Sequence, residues 1–464
     1  MKKIHIVLAC VFSCIMLTGC GKDFLEEKPS SEIVQPRTLD EFQKLLDNNS
    51  AINATSGLGI LGGDEYEFSN NDTWKAAPTV SRNSYIWAAD LFEGENSDNW
   101  NLPYTAIFYA NNVLAGLQTI VTTPQSELNW KYTNGWALFV RAYAYFDLVS
   151  NFSKSYSKST AASDLGIPLR VKPSIDEVLP RSSVEQTYSQ IINDLNAAIP
   201  SLNVEVAATK TRPSKYAAYA LLAKVYLTME HYKLAELYAD SCLQLNNRLL
   251  NYNSLSKTSN APFALNHGEQ IYHSQAVGNG TYSTSSNNAN IKVSPELIAL
   301  YGPNDLRLNI FFLRQSDGTY DFKRGYGGPG LVPFTGLAMD EVYLIKAESA
   351  ARNGNISTAM SYLNQLLINR WNPGATNPAA PYIDMSAQTR DEALNMILLE
   401  RRKELVWRGA RWQDVKRLNS AGGIMSLKRI IDGKTYILDA NDPKFVFPIP
   451  DNEIVLSKIN QNIR

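Results

Sequence analysis

Two kinds of stretch alternate along the chain: segments with apolar residues three and four apart, and long segments with no such period. The stretch YALLAKVYLTMEHYKLAELYADSCL sets Tyr219, Leu222, Ala223 and Tyr226 at the W-x2-L-G-x2-Y spacing of a tetratricopeptide first helix. Ala235, Ala239 and Cys242 follow at second-helix positions, and the small Ala223 and Ala235 let two helices approach closely. Pro213 and Ser214 supply the helix start. The same pattern returns 124 residues later, pairing Tyr219 with Tyr343, Ala223 with Ala347, Ala235 with Ala359 and Tyr238 with Tyr362. Gly354 and Asn355 make the turn of this second copy. Further helical periodicity covers 136–149, 184–199 and 391–407. The expected fold is therefore mainly α: a tetratricopeptide-like α-α superhelix of about four helix pairs, with scaffold at about 130–250 and 337–418.

The aperiodic segments are long. Residues 50–104 are rich in Asn, Ser, Gly and aromatics, 251–293 in Ser and Asn, and 315–336 contain GYGGPGLVPF. Loops of this length in a compact domain carry function or lack structure, so the inserts are where a site is expected.

At the start, Lys2 and Lys3 precede an uncharged run from Ile6 to Leu17 that ends on Thr18, Gly19 and Cys20. The run is far short of the roughly 20 residues of a membrane-spanning helix, so residues 1–19 are expected to be an export signal. The order Leu17, Thr18, Gly19, Cys20 resembles the bacterial lipobox, which makes Cys20 the expected lipid anchor of one domain spanning 20–464. Lys22 and Asp23 behind it resemble a sorting signal for the outward face of the outer membrane.

Loss of the leader leaves 42 basic against 45 acidic side chains, a net charge of −3 with no attraction for nucleic acid. Cys10 and Cys14 leave with it, so Cys242 is the one free thiol beside the lipidated Cys20, and the fold holds without an intramolecular disulfide.

Several motifs coincide in order. FLEEKP after the cysteine, RAYAYFDLVSNF at 141–152, GIPL at 166–169 and VSPELIALYGPNDLR with Asp305 and Arg307 come first. DEVYLIKAESAARNGN, ERRKELVWRGARWQDVKR and FPIPDNEI with Gln461 and Asn462 complete the series. Together they resemble the SusD-like (RagB) nutrient-binding lipoproteins of the Bacteroidetes outer membrane, almost end to end. Arg408, Gly409, Ala410 and Arg411 depart from the family's common Glu-Gly-His-Arg, and Leu456 and Ser457 replace a common Asn-Pro. The resemblance implies a surface lipoprotein seated over a SusC-like TonB-dependent β-barrel transporter. Such a protein captures an oligosaccharide, or in some members a peptide, and delivers it without covalent chemistry or a cofactor.

A glycan site needs flat aromatic platforms with amide, carboxylate or guanidinium groups at their edges. The first insert offers Asp64, Trp74, Arg82, Tyr85 and Trp87, and the other two offer Tyr282, Tyr320 and Tyr326. Trp100 and Tyr104 lead into a helical pattern and are expected to pack. In ERRKELVWRGARWQDVKR, charge pairing along and between helices accounts for Glu400, Arg401, Arg402, Glu404, Arg408, Arg411, Asp414 and Arg417. Two G-x-G-x-x-G matches, at Gly57, Gly59, Gly62 and at Gly325, Gly327, Gly330, lack the strand and helix of a nucleotide site and are expected to be flexible loops. His267, Glu269 and His273 fit no zinc spacing. Two other functions stay open: a scaffold that binds only proteins, and a helical glycoside hydrolase using two of Asp64, Glu65, Asp90 and Glu93.

Overall fold

The computed structural model describes residues 36–174, 176–205, 209–283, 288–376 and 378–464, and residues 38–464 form one compact unit. The leader and Cys20 lie outside the described residues. Among the described residues, nine long helices make the frame: α1 Asp98–Leu117, α2 Glu127–Phe152, α3 Val184–Ala198, α4 Lys215–Thr228, α5 Tyr232–Leu245, α6 Met339–Arg352, α7 Ile356–Leu367, α8 Arg390–Glu404 and α9 Ala410–Ser420. Helix α1 packs on α2, α2 on α3, α4 on α5, α5 on α6, and α6 on both α7 and α8. This is the expected mainly α, tetratricopeptide-like arrangement.

Local chemistry sets the helix starts. The Ser214 hydroxyl accepts from the Ala217 N–H at α4, while Ser183 with Gln186 and Thr389 with Glu392 form reciprocal capping boxes at α3 and α8. The internal repeat is structural: α4 and α6 begin 124 residues apart, as do α5 and α7. Ala223, Ala235, Ala347 and Ala359 are fully buried at the helix contacts. Even the turns correspond, for Glu230 (φ 60°) stands in the left-handed region where the second copy has Gly354 (φ 88°). Lys346 on α6 joins the copies through Glu236 at 2.8 Å and Asp240 at 2.7 Å on α5.

The inserts are more ordered than their aperiodic sequences suggest. Residues 50–104 hold short helices at Leu58–Gly62, Asn71–Lys75 and Thr79–Tyr85, and α1 begins within them at Asp98. Ten short strands among the described residues pair two by two: β1 Ala54–Thr55, β2 Tyr66–Phe68, β3 Gln270–Tyr272, β4 Gln275–Ala276, β5 Ile291–Val293, β6 Phe312–Arg314, β7 Tyr320–Phe322, β8 Leu337–Ala338, β9 Leu427–Ile431 and β10 Lys434–Leu438. β1 runs parallel to β4 and β2 antiparallel to β5, which stitches the first insert to the second. β3 pairs with β8 at the foot of α6. Inserts distant in sequence thus close on one another, a contact that no local periodicity encodes.

The first glycine-rich segment is a packed helix rather than a flexible loop. A Cβ on Gly59 would lie 3.3 Å from the Trp412 Cβ, and one on Gly62 would lie 3.0 Å from its ring, so the glycines admit α9 at close range.

A buried lattice of charge ties the layers together. Arg307 pairs with Asp305 (2.7 Å), Glu400 (2.6 Å) and Glu404 (3.0 Å), and Arg370 bridges Glu404 and Glu269, each at 2.8 Å. Asp414 and Glu348 share Arg417, and Arg408 holds Asp340 at 2.7 Å. Pairing this dense lets charges sit in a core, and it accounts for the crowded motif of α8 and α9 as structural. Glu269 is committed to Arg370 and to the Tyr326 hydroxyl (2.5 Å), while burial holds His267 neutral by lowering its pKa to about 4.

Candidate functional site

The rings of the first insert form its core instead of lining its surface. Tyr85 and Trp87 are 2% exposed and Trp74 is 9% exposed. Tyr85 meets Phe68 edge-on at 4.9 Å and Tyr66 at 5.5 Å, the Trp87 indole N–H donates to the Gly62 carbonyl (3.0 Å), and that of Trp74 donates to the Arg82 carbonyl (3.1 Å). Tyr282 and Tyr326, each 2% exposed, are equally enclosed. The Tyr282 hydroxyl donates to the Val277 carbonyl, and the Arg408 guanidinium lies 3.9 Å from the Tyr326 ring centre. A platform must offer an open face, so the expectation that Trp74, Tyr85, Trp87, Tyr282 and Tyr326 stack on a ligand is corrected. The physical reason is that the aperiodic insert has to bury its own large rings to fold at all.

Asp64 is likewise engaged internally. Its carboxylate accepts two hydrogen bonds from Arg411 (2.8 and 2.9 Å) and one from Arg402 (3.2 Å). Burial opposes its charge, yet these guanidinium groups hold its pKa down at about 2. Arg429, which sequence reasoning missed, lies 4.9 Å from the Tyr66 ring centre and 4.2 Å from that of Tyr85 and donates to the Tyr66 and Gly63 carbonyls. The signal was available: in LKRII, Arg429 shares the inward phase of Leu427 and Ile431.

What the inserts do present is a polar surface over β2, β5 and β7. Tyr66 and Phe68 point inward opposite Val293 and Ile291, leaving Glu67 on the solvent side opposite Lys292. The Lys292 ammonium reaches Asp321 on β7 at 2.7 Å, and Gln315 donates to the same carboxylate at 2.8 Å. Burial, with Glu296 nearby, raises the Glu67 pKa. Tyr320, half-buried, pairs with the exposed Arg314 near the tip of the β6–β7 hairpin, where Gly318 (φ 88°) makes the turn. Arg82, on the short helix Thr79–Tyr85 whose Tyr85 packs against the inward rings of β2, lies 3.8 Å from the exposed Glu93, which accepts from the Asn83 amide at 2.8 Å. Of the eight residues singled out from the sequence, Arg82 and Tyr320 are half-buried, and Tyr320 alternates with Asp321 so that it stands on the opposite face of β7, against the core.

Residues 23–227 match the family model described as starch-binding associating with outer membrane, and 339–463 match that of the SusD family. SusD-like protein P2 of Formosa agariphila is 23% identical over 521 aligned positions, covering 98% of either chain. The chain belongs to the SusD/RagB family. Solved SusD structures share its fold. A SusD superfamily protein from Bacteroides thetaiotaomicron superposes with TM-score 0.74 at 22% identity, covering 92% of this chain and 100% of that one. A laminarin-binding SusD-like protein gives 0.66 at 19% identity, covering 91% and 98%.

In this SusD-family chain the four carboxylates considered for hydrolysis all have structural partners. Glu65 is fully buried, both its oxygens face the Trp407 N–H at 3.2 Å, and burial with the neighbouring Asp64 charge raises its pKa to about 8. Asp90 accepts from the N–H groups of Phe92 and Glu93, closing a turn. Among the described residues no helix is long and apolar enough to cross a membrane.

Proposed function

We propose that this protein is a cell-surface lipoprotein, anchored through Cys20, that binds an oligosaccharide and delivers it to a partner TonB-dependent outer-membrane transporter. The observation that carries the glycan reading is the fold shared over 91% of the chain with a laminarin-binding relative. The polar surface over β2, β5 and β7 is the proposed ligand face. Glu67 and Lys292 supply charged edges that sugar hydroxyls require, and the half-buried Tyr320 on the neighbouring β6–β7 hairpin is the candidate aromatic platform. Tyr85 packs beneath β2 through Tyr66 and Phe68.

Electrophoresis of the purified protein through gels containing laminarin, starch or other polysaccharides tests the proposal. At least one glycan should retard the protein, and Tyr320→Ala should weaken that retention by roughly tenfold or more, the scale of one lost stacking contact. A protein unretarded by every glycan, or a variant retarded equally, would count against it; retention of peptides instead would redirect the substrate class.

A further inference from the structure

A groove of about 910 Å³ opens between stretches far apart in sequence: residues 154–165 behind α2, the end of α9, and the chain's last segments at 440–446 and 460–463. Arg181 rivets its walls. The guanidinium donates to the carbonyls of Phe152 (3.1 Å), Leu165 (3.1 Å) and Gly166 (2.7 Å) on one side, and to the Asn460 carbonyl (3.0 Å) and the Asn462 side-chain oxygen (2.8 Å) on the other. The Asn462 amide adds bonds of 2.8 Å to the carbonyls of Phe152 and Phe447. A groove held in this way is preformed, which lowers the ordering cost of binding.

Its charges are already spent. Lys154 pairs with Asp164 at 2.7 Å, Lys416 donates to the carbonyls of Ser150 (2.8 Å) and Ser153 (2.5 Å), and Asp442 accepts from the Lys444 N–H at 2.9 Å. What stays open is neutral. The side chains of Ser155, Thr160, Ser420, Asn441 and Asn460 line the groove and make no hydrogen bond to the described residues, and all but the half-buried Ser155 are exposed. Leu165 and Ile463, 40% and 85% exposed, add an apolar shelf.

The chain itself shows what such amides hold. Gln461 takes both the N–H (2.8 Å) and the carbonyl (2.7 Å) of Ile449. Asn364 does the same to Met385 (2.9 Å each), and Asn419 to Met425 (2.9 and 2.8 Å). Each clamped residue lies outside the helices and strands, where the backbone has no ladder to satisfy it.

We propose that this groove binds an extended, uncharged peptide, with Asn441 and Asn460 clamping its backbone in the same manner and an apolar side chain resting on Leu165 and Ile463. Main-chain bonds then supply the affinity and the shelf supplies a side-chain preference. A saccharide is disfavoured, because the one ring that lines the groove, Phe445, is 5% exposed and offers no stacking face. The site shares no residue with the proposed glycan face, so either proposal can fail without the other.

Saturation-transfer NMR titration of the full-length protein at pH 7 tests this, with a pool of acetylated, amidated hexapeptides of Ala, Ser, Asn and Leu as the probe. The pool should bind saturably, and the same pool N-methylated along its backbone should bind at least roughly tenfold more weakly, the scale of the lost clamp bonds. A third pool, with Glu and Lys in place of Ser and Asn, should also bind more weakly, because the groove has no free charge to meet it. Asn441→Ala combined with Asn460→Ala should weaken the first pool by roughly tenfold; both positions are exposed, so the fold should stand. No saturable binding, equal binding of either altered pool, or unchanged affinity in the double variant would overturn the proposal. So would laminarihexaose that binds the parent and is lost in the double variant, which would make the groove a saccharide site.

Discussion

Trp87 and Tyr320 are both aromatic, both on inserts and both plausible sugar platforms by composition, yet burial separates them. Trp87 is enclosed, with its indole N–H spent on the Gly62 carbonyl, whereas Tyr320 is only half-buried. Trp87→Ala should therefore cost about 3–5 kcal/mol of stability, read as a shift of the urea midpoint, whereas Tyr320→Ala should leave the midpoint within about 1 kcal/mol of the parent. Equal midpoints for the two variants would refute this division. Residue type was legible in the sequence and exposure was not. In a segment without period nothing says which side of a ring meets the core; only in short alternating runs such as Tyr66-Glu67-Phe68 does the phase reveal it.

Elements were legible where a period existed. The 124-residue repeat carried through to both helices of each hairpin and to the turns at Glu230 and Gly354, because close helix contacts demand small residues at fixed positions. The end of α8 was not legible: helical spacing runs on to Trp407, but the helix stops at Glu404. Trp407 (φ 62°) turns its ring onto Phe322 at 3.7 Å, a tertiary contact that overrides the local pattern. Glu65 meets the chain at this break, and its raised pKa has a stability consequence. Between the ordinary carboxylate range and about pH 8 the folded chain keeps a proton that the unfolded chain has released, so this group makes stability fall as pH rises through that window. Asp147, raised by burial to about 7, acts in the same direction, whereas the depressed Asp64 loses its contribution only as pH falls toward about 2. Glu65→Gln should then melt close to the parent at pH 5 and above it at pH 8. An identical pH slope of melting temperature in the two proteins would show that Glu65 does not carry this effect.

At the scale of the whole molecule, a rigid helical frame holds inserts that close on one another through two-stranded ladders and a buried lattice of charge. The frame follows from sequence periodicity; the closure does not, since β2 and β5 lie more than 200 residues apart. Such a frame suits a protein that presents a preformed polar face to a ligand. The central claim is that this body works in glycan uptake beside a transporter. It is tested most directly by purifying the native protein from outer membranes in mild detergent and identifying what accompanies it. Recovery with a large TonB-dependent β-barrel is the predicted result; recovery alone, or with periplasmic proteins only, would contradict the account.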